Sequence, residues 1–231
     1  MGKLVSTVFV TLDGVYQAPG GPGEDPSGGF DQGGWSFPYG DDDFGRFIAD
    51  VFSRAGAFLL GRRTYEIFSA YWPQVTDPAD PVASRLNGLP KHVVSSTLTS
   101  PGWSGTTVVC GDLAREVTAL KERTDGELQV HGSGALVRSL VDLRLLDTLH
   151  LLTFPVVLGA GRRLFVEGAV PTASRTPQGG SRSPVSPSSR TTCPAVPSTG
   201  PTNSPPTPDR RLWAAPGTRT LRGHRASRAT H

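Results

Sequence analysis

Two cysteines in 231 residues, Cys110 and Cys193, are too few and too far apart for a disulfide framework. Their scarcity fits a reducing cytoplasm. Also missing is any apolar run near the roughly 18 residues that a membrane helix needs, so no membrane partner is expected. Met1-Gly2-Lys3-Leu4 enters an alternating segment at once, without the basic, apolar and small-residue succession of a secretory signal. No His-Glu-x-x-His, Cys-x-x-Cys or Gly-x-Ser-x-Gly motif occurs, which removes the common zinc and serine-nucleophile chemistries. His92, His131 and His150 sit in strand-like contexts without a ligand set, and no metal is expected.

Acids and lysines nearly vanish from the last quarter. From residue 175 onward there are nine arginines, ten prolines, no lysine and one acid, Asp209. That stretch carries +8, so the first 174 residues carry −5 although the whole chain is +3. The basic pI of 9.1 therefore belongs to the tail. Without apolar periodicity the tail cannot offset the entropy of ordering its backbone, which predicts a disordered Pro/Ser/Arg-rich segment over residues 174–231. A frameshift in GC-rich coding sequence, a natural disordered tail and a fusion remnant all produce such text. Trp213 is the tail's only aromatic and no RNA-binding motif occurs, so specific nucleic-acid binding is not expected. Residues 1–173 suffice for one core.

What is present is an alternation of strand-like and helix-like text. Residues 4–10 form a β-rich opening, followed by Asp13-Gly14 and a Gly/Pro-rich loop over residues 17–34. Helical spacing appears at 43–52, 64–71, 114–123 and 135–141. Strand-like runs occupy 57–60, 91–95, 107–110, 128–131 and 148–154. Alternation of this kind predicts an α/β fold of βαβ crossovers around a central, mainly parallel twisted sheet.

Ligands of such sheets gather at the carboxyl ends of the strands. Three segments fall there: Gly61-Arg62-Arg63-Thr64, Ser95-Ser96-Thr97 and Gly132-Ser133-Gly134. In the last, a small-residue turn opens directly into a helix whose free N–H groups suit a diphosphate; a plain tight turn is the alternative. Arg62 and Arg63 are unfavourable as bare charges at a helix start but match phosphate bidentately, and they point to NADPH over NADH. Ser95 and Ser96 either donate to the same phosphate or satisfy the strand end. For proton chemistry the candidates are Asp43, beside Phe44 and Phe47, and Asp13. Asp41–Asp43 also reads as an acidic N-cap and first turn, and Asp13-Gly14 as a common turn. Trp35 either closes the pocket or anchors the loop.

Taken together, Leu12-Asp13-Gly14, Leu60-Gly61-Arg62-Arg63-Thr64-Tyr65-Glu66, Tyr71-Trp72-Pro73, Leu89-Pro90-Lys91-His92-Val93-Val94-Ser95-Ser96, Val130-His131-Gly132-Ser133-Gly134 and Phe154-Pro155-Val156-Val157-Leu158-Gly159-Ala160-Gly161-Arg162-Arg163-Leu164-Phe165 resemble the dihydrofolate reductase-like superfamily. More narrowly, they resemble bacterial proteins related to the C-terminal reductase domain of riboflavin biosynthesis. The resemblance covers residues 3 to about 173. It implies a three-layer fold and an NADPH-dependent reduction of a small pterin- or pyrimidine-like heterocycle, of the 5-amino-6-(5-phosphoribosylamino)uracil reductase type. A dihydrofolate reductase and a non-catalytic, dimeric NADPH- or nucleotide-binding domain are the alternatives.

By the same resemblance, Gly61, Arg62 and Thr64 would hold the cofactor phosphates, and Ser95 and Ser96 would lie near the adenosine ribose phosphate. Gly132, Ser133 and Gly134 would support the diphosphate and nicotinamide side. Asp43 would be the active-site carboxylate, and residues 17–35 would form the loop that closes over the nicotinamide. The family pattern normally continues past Gly168-Ala169 with terminal antiparallel strands, whereas here strand-like text stops near Ala173. The fold is thus expected to lack its last strands, leaving 148–154 as an apolar edge.

Overall fold

The structure, a computed structural model, describes residues 1–169 and 171–172. The tail predicted over 174–231 lies outside them. Six strands form one sheet: β1 (Lys3–Thr11), β2 (Ala55–Gly61), β3 (Lys91–Val94), β4 (Thr106–Val109), β5 (Glu127–His131) and β6 (Thr148–Phe154). Their order is β4-β3-β2-β5-β1-β6, and every pairing is parallel. The predicted parallel α/β fold is thus present. β1 lies between β5 and β6, which is why nearly all of its residues, Ser6 and Thr7 included, are buried.

Helices cover both faces. On one face lie α1 (Asp42–Ser53), α2 (Arg62–Tyr71) and α3 (Pro81–Gly88), and their Phe44, Ile48, Phe52, Tyr65, Phe68 and Leu86 pack with Phe58 and Leu60 of β2. On the other lie α4 (Leu113–Arg123) and α5 (Gly134–Asp142), whose Val117, Leu120, Val137 and Leu140 meet Leu4, Leu59 and Leu128. Alternate residues of β2 therefore feed separate cores, giving the expected three layers.

Helix starts follow local chemistry. The Asp41 carboxylate accepts the Phe44 N–H at 2.7 Å, and Asp112 accepts from Arg115 in the same way. α3, which hydrophobic periodicity does not reveal, is set by Asp80 accepting from Val82 and Ala83, with Pro81 at the first helical position.

Two close approaches fix the sheet. Gly56 lies where a β-carbon would be 1.8 Å from the Asp125 carbonyl oxygen, beside a register irregularity between β2 and β5. Lys91 is fully buried in β3. Its Nζ donates at 2.8 Å to the carbonyls of Leu86 and Leu89 and lies 4.6 Å from the centre of the Trp103 ring. Burial pushes that ammonium down to about 8.

Among the described residues β6 pairs with β1 alone, and no strand follows it. Leu151 is exposed there; the expected loss of the last strands falls on residues outside those described. No helix of the described residues is long and apolar enough to cross a membrane.

Candidate functional site

A cavity of about 290 Å³ opens at the carboxyl ends of β1 and β5. Its floor is Thr7, Phe9, His131, Gly132 and Ser133. One wall is the α2 start with Arg63 and Thr64, and the other is the long loop with Tyr16, Gln17, Glu24 and Asp25. A larger hollow of about 840 Å³ lies by α3 and Trp103. None of the strand-end segments lines it.

Of the residues expected to meet cofactor, Arg63, Thr64, Gly132 and Ser133 line this cavity together. The two βα turns that carry them are in direct contact. A β-carbon on Gly61 would lie 2.0 Å from Ser133 Oγ, so only glycine lets the turns approach this closely. Gly132 (φ +76°) and Ser133 (φ +56°) are both left-handed, which turns the β5 backbone into α5. Gly134 accommodates the loop, since its missing β-carbon would lie 2.5 Å from the Tyr16 ring.

Arg62 diverges from Arg63. It pairs with Glu66 at 2.7 Å and also donates to Thr97, beyond the cavity and next to Ser95 and Ser96. Ser95 Oγ accepts the N–H groups of Thr97 and Leu98, so it shapes that turn. The arginine pair thus serves two places, one inside the cavity and one at the end of β3.

Neither candidate for proton chemistry, Asp43 or Asp13, lines the cavity, and nor does Trp35. Asp43 sits one residue from Phe44, about 100° around the helix. Its side chain is exposed and pairs with Arg46, so the expected cleft-facing carboxylate is instead part of an acidic first turn. Asp13 accepts from Thr11 Oγ1 at 2.6 Å, from the N–H groups of Leu158 and Gly159, and from Arg163. These bonds, the Thr11 hydroxyl first among them, hold its carboxyl far below the usual range. It ties the segment after β6 to the end of β1. Trp35 is buried, donates from Nε1 to the Gln17 carbonyl at 2.8 Å and meets Phe154 edge-on, so it anchors the loop.

Sequence reasoning missed the loop's own carboxyls. Glu24 turns back to accept from the Gly20 and Gly21 amides, yet burial pushes its carboxyl up to about 7. Asp25 is held by Arg63, by Arg162 and by the Ser27 hydroxyl. No periodicity marks such residues; the only signal was acid placed within a glycine-rich loop. His131 also faces the cavity, stacked 4.3 Å from Phe52 with Nε2 3.0 Å from Gln129 Oε1. Burial pushes it down to about 3, so it is neutral at physiological pH. Among the described residues no group of His, Cys, Asp or Glu could hold a metal ion.

Glu24 makes a pH-dependent contribution to stability. Its folded value of about 7 lies above the ordinary 4.5, so the folded chain holds this proton more tightly than the unfolded one. The contribution should decline as pH rises from about 4.5 to about 7 and level off beyond. Glu24→Gln should remove that slope from a Tm profile taken between pH 5 and 8; an identical slope in the variant would refute the assignment.

A parallel sheet of this order, with helices on both faces and paired glycine turns around a strand-end cavity, defines a dihydrofolate reductase-like fold. The model of the RibD C-terminal domain matches residues 2–178, and the chain belongs to that family. YyaP of Bacillus subtilis (strain 168), an uncharacterised protein, is 24% identical over 167 residues, covering 71% of this chain and 81% of YyaP. A Shewanella sp. PV-4 structure named for riboflavin biosynthesis is 21% identical with a TM-score of 0.52, covering 72% of this chain and 84% of that one. That likeness concerns the fold.

Proposed function

We propose that the chain is an NADPH-dependent reductase of a small pterin- or pyrimidine-like heterocycle, with the 5-amino-6-(5-phosphoribosylamino)uracil type as the first substrate to try. One observation carries the reading: two βα turns bring Arg63, Thr64, Gly132 and Ser133 to the lining of one cavity, with Arg62, Ser95 and Ser96 beyond it. The donor set fits a dinucleotide. Left-handed Gly132 leaves its backbone approachable, the N–H groups opening α5 favour a diphosphate, and Arg62 with Ser95 and Ser96 suits the extra ribose phosphate.

When bound, NADPH supplies the hydride. The chain's own part is to orient the heterocycle against Phe9 and Ile48, to keep water out beneath the loop, and to hold a proton. Glu24, titrating near neutrality in the cavity wall, is the carboxyl suited to that last role. Neutral His131 and the Thr7 hydroxyl add polar groups to the floor.

Fluorescence titration with NADPH, with NADH as control, tests the cofactor. Arg62→Gln should lose about tenfold in NADPH affinity and little in NADH affinity, as removal of a charged hydrogen bond to the ribose phosphate requires. Equal loss for both would place Arg62 elsewhere. Oxidation followed at 340 nm against pterins and ribosylaminopyrimidines then tests turnover. The absence of Asp43, Asp13 and Trp35 from the cavity wall favours one alternative, an NADPH-binding domain without catalysis. Binding without oxidation of any panel member would support it. A homodimer belongs to the same proposal, and light scattering after size exclusion tests it.

A further inference from the structure

Asp25 is the most thoroughly held side chain of the cavity wall. It is only 7% exposed, yet it sits on a loop rich in glycine. Arg63 Nη1 reaches its Oδ1 at 2.7 Å, and Arg162 Nη2 reaches Oδ2. The Ser27 hydroxyl donates to Oδ1 at 2.7 Å and accepts from Arg63 Nη1 and Arg162 Nη1, also at 2.7 Å. Gln17 completes the clasp: its Nε2 donates to the carbonyls of Asp25 and Ser27, while its Oε1 accepts the Arg162 N–H.

Two guanidiniums from distant segments, one on α2 and one after β6, thus converge with a hydroxyl on a single oxyanion. One carboxylate leaves the pair with a net positive charge, and Arg138 adds another cation to the cavity lining. Both arginines remain partly open to solvent, with side chains 55% and 37% exposed. Among the described residues Arg63 engages through Nη1 alone, so most of its fork is unused. A phosphate offers more charge and more acceptor oxygens than a carboxylate does to such a fork. The cavity, at about 290 Å³, is at the lower limit for a drug-sized ligand, and Asp25 forms part of its lining. A phosphate that takes both arginines must take the place of this carboxylate. Residues around Gly28 and Gly29 have nothing packed where their β-carbons would lie, so that stretch can yield.

We propose that Arg63, Arg162 and Ser27 form a phosphate subsite which Asp25 fills in the free protein, so that a phosphorylated ligand binds by displacing the Asp25 carboxylate and loosening the loop around it, with Ser27 staying beside the arginines. This deepens the reductase reading by naming an internal competitor and adding Arg162 to the binding residues. The phosphate could belong to the dinucleotide or to a phosphorylated pentose on the substrate, and the chemistry of the subsite is the same.

Calorimetric titration with inorganic pyrophosphate tests the subsite directly. Asp25→Asn should bind it about tenfold tighter than the wild type, and Arg162→Met should lose most of the affinity. Ser27→Ala, which leaves every charge in place, should bind a few-fold more weakly. In the wild type, pyrophosphate should speed hydrogen exchange of the amides over residues 17–35, a readout that needs no variant to fold. Unchanged or weaker binding by folded Asp25→Asn, or exchange slowed by pyrophosphate, overturns the proposal. NADPH and ribose 5-phosphate, run as separate arms, should each accelerate exchange if they own the phosphate; acceleration by neither overturns displacement by a ligand. Failure of NADPH alone assigns the subsite to the pentose phosphate and leaves the pyrophosphate result standing.

Discussion

Gly61→Ala is expected to weaken NADPH binding at least tenfold and to destabilise the fold by about 1–3 kcal/mol. A methyl group at this position would lie 2.0 Å from Ser133 Oγ and 2.7 Å from Ser133 Cβ. Rotating the hydroxyl relieves the first contact but not the second, so a backbone must move. The choices are the left-handed turn that starts α5 or the turn that starts α2, and both carry proposed phosphate ligands. Fluorescence titration and thermal melts read the two effects together. Ser133→Gly in the same background should recover much of the stability, because it removes the obstructing atoms and favours the left-handed conformation. Wild-type affinity and Tm in the single variant would show that the turns do not press on one another.

Gly56→Ala should cost still more stability, about 3 kcal/mol, without a direct effect on the cavity. Here the obstruction is main chain. The added carbon would lie 1.8 Å from the Asp125 carbonyl oxygen and 2.8 Å from its carbon, and no rotamer change can clear it. Asp125 precedes Gly126 (φ +93°), itself packed against the Arg54 carbonyl, so the turn entering β5 has little room to retreat. Urea denaturation should show a lower midpoint. Gly88→Ala is the matched control: nothing lies within 4 Å of its would-be β-carbon, and it is the last residue of α3, where alanine should be neutral or slightly stabilising. Equal losses at both positions would mean that the close approach at Gly56 is not what matters.

Much of the scaffold was legible because its signals are local. The β1 run, the helical spacing of Phe44, Ile48 and Phe52, and the glycine turn after Val130 each report an element through composition over a few residues. α3 was hidden because eight residues ending in Asn87-Gly88 give too short a period for its spacing to show. The site was legible only in part. Turn residues such as Gly61, Thr64 and Gly132 are identified by what the backbone must do there. Carboxylates are not: Asp43 and Asp25 look alike in text, and which one faces solvent depends on helix phase in one case and on arginines 38 and 137 residues away in the other.

The central place of β1 has a consequence for the order in which this chain can acquire structure. Its neighbours are β5 and β6, so the first strand made has no sheet partner until more than a hundred residues have followed. The bonds that shape the cavity are as remote: Asp13 accepts from Leu158 and Gln17 from Arg162, each across 145 residues. During synthesis the N-terminal strand must therefore wait as an unpaired apolar segment while β2, β3 and β4 form their own pairs. High sequence separation of this kind slows folding and prolongs exposure to wrong partners. The cavity, closed by the last contacts to form, arises only when the two ends of the domain meet.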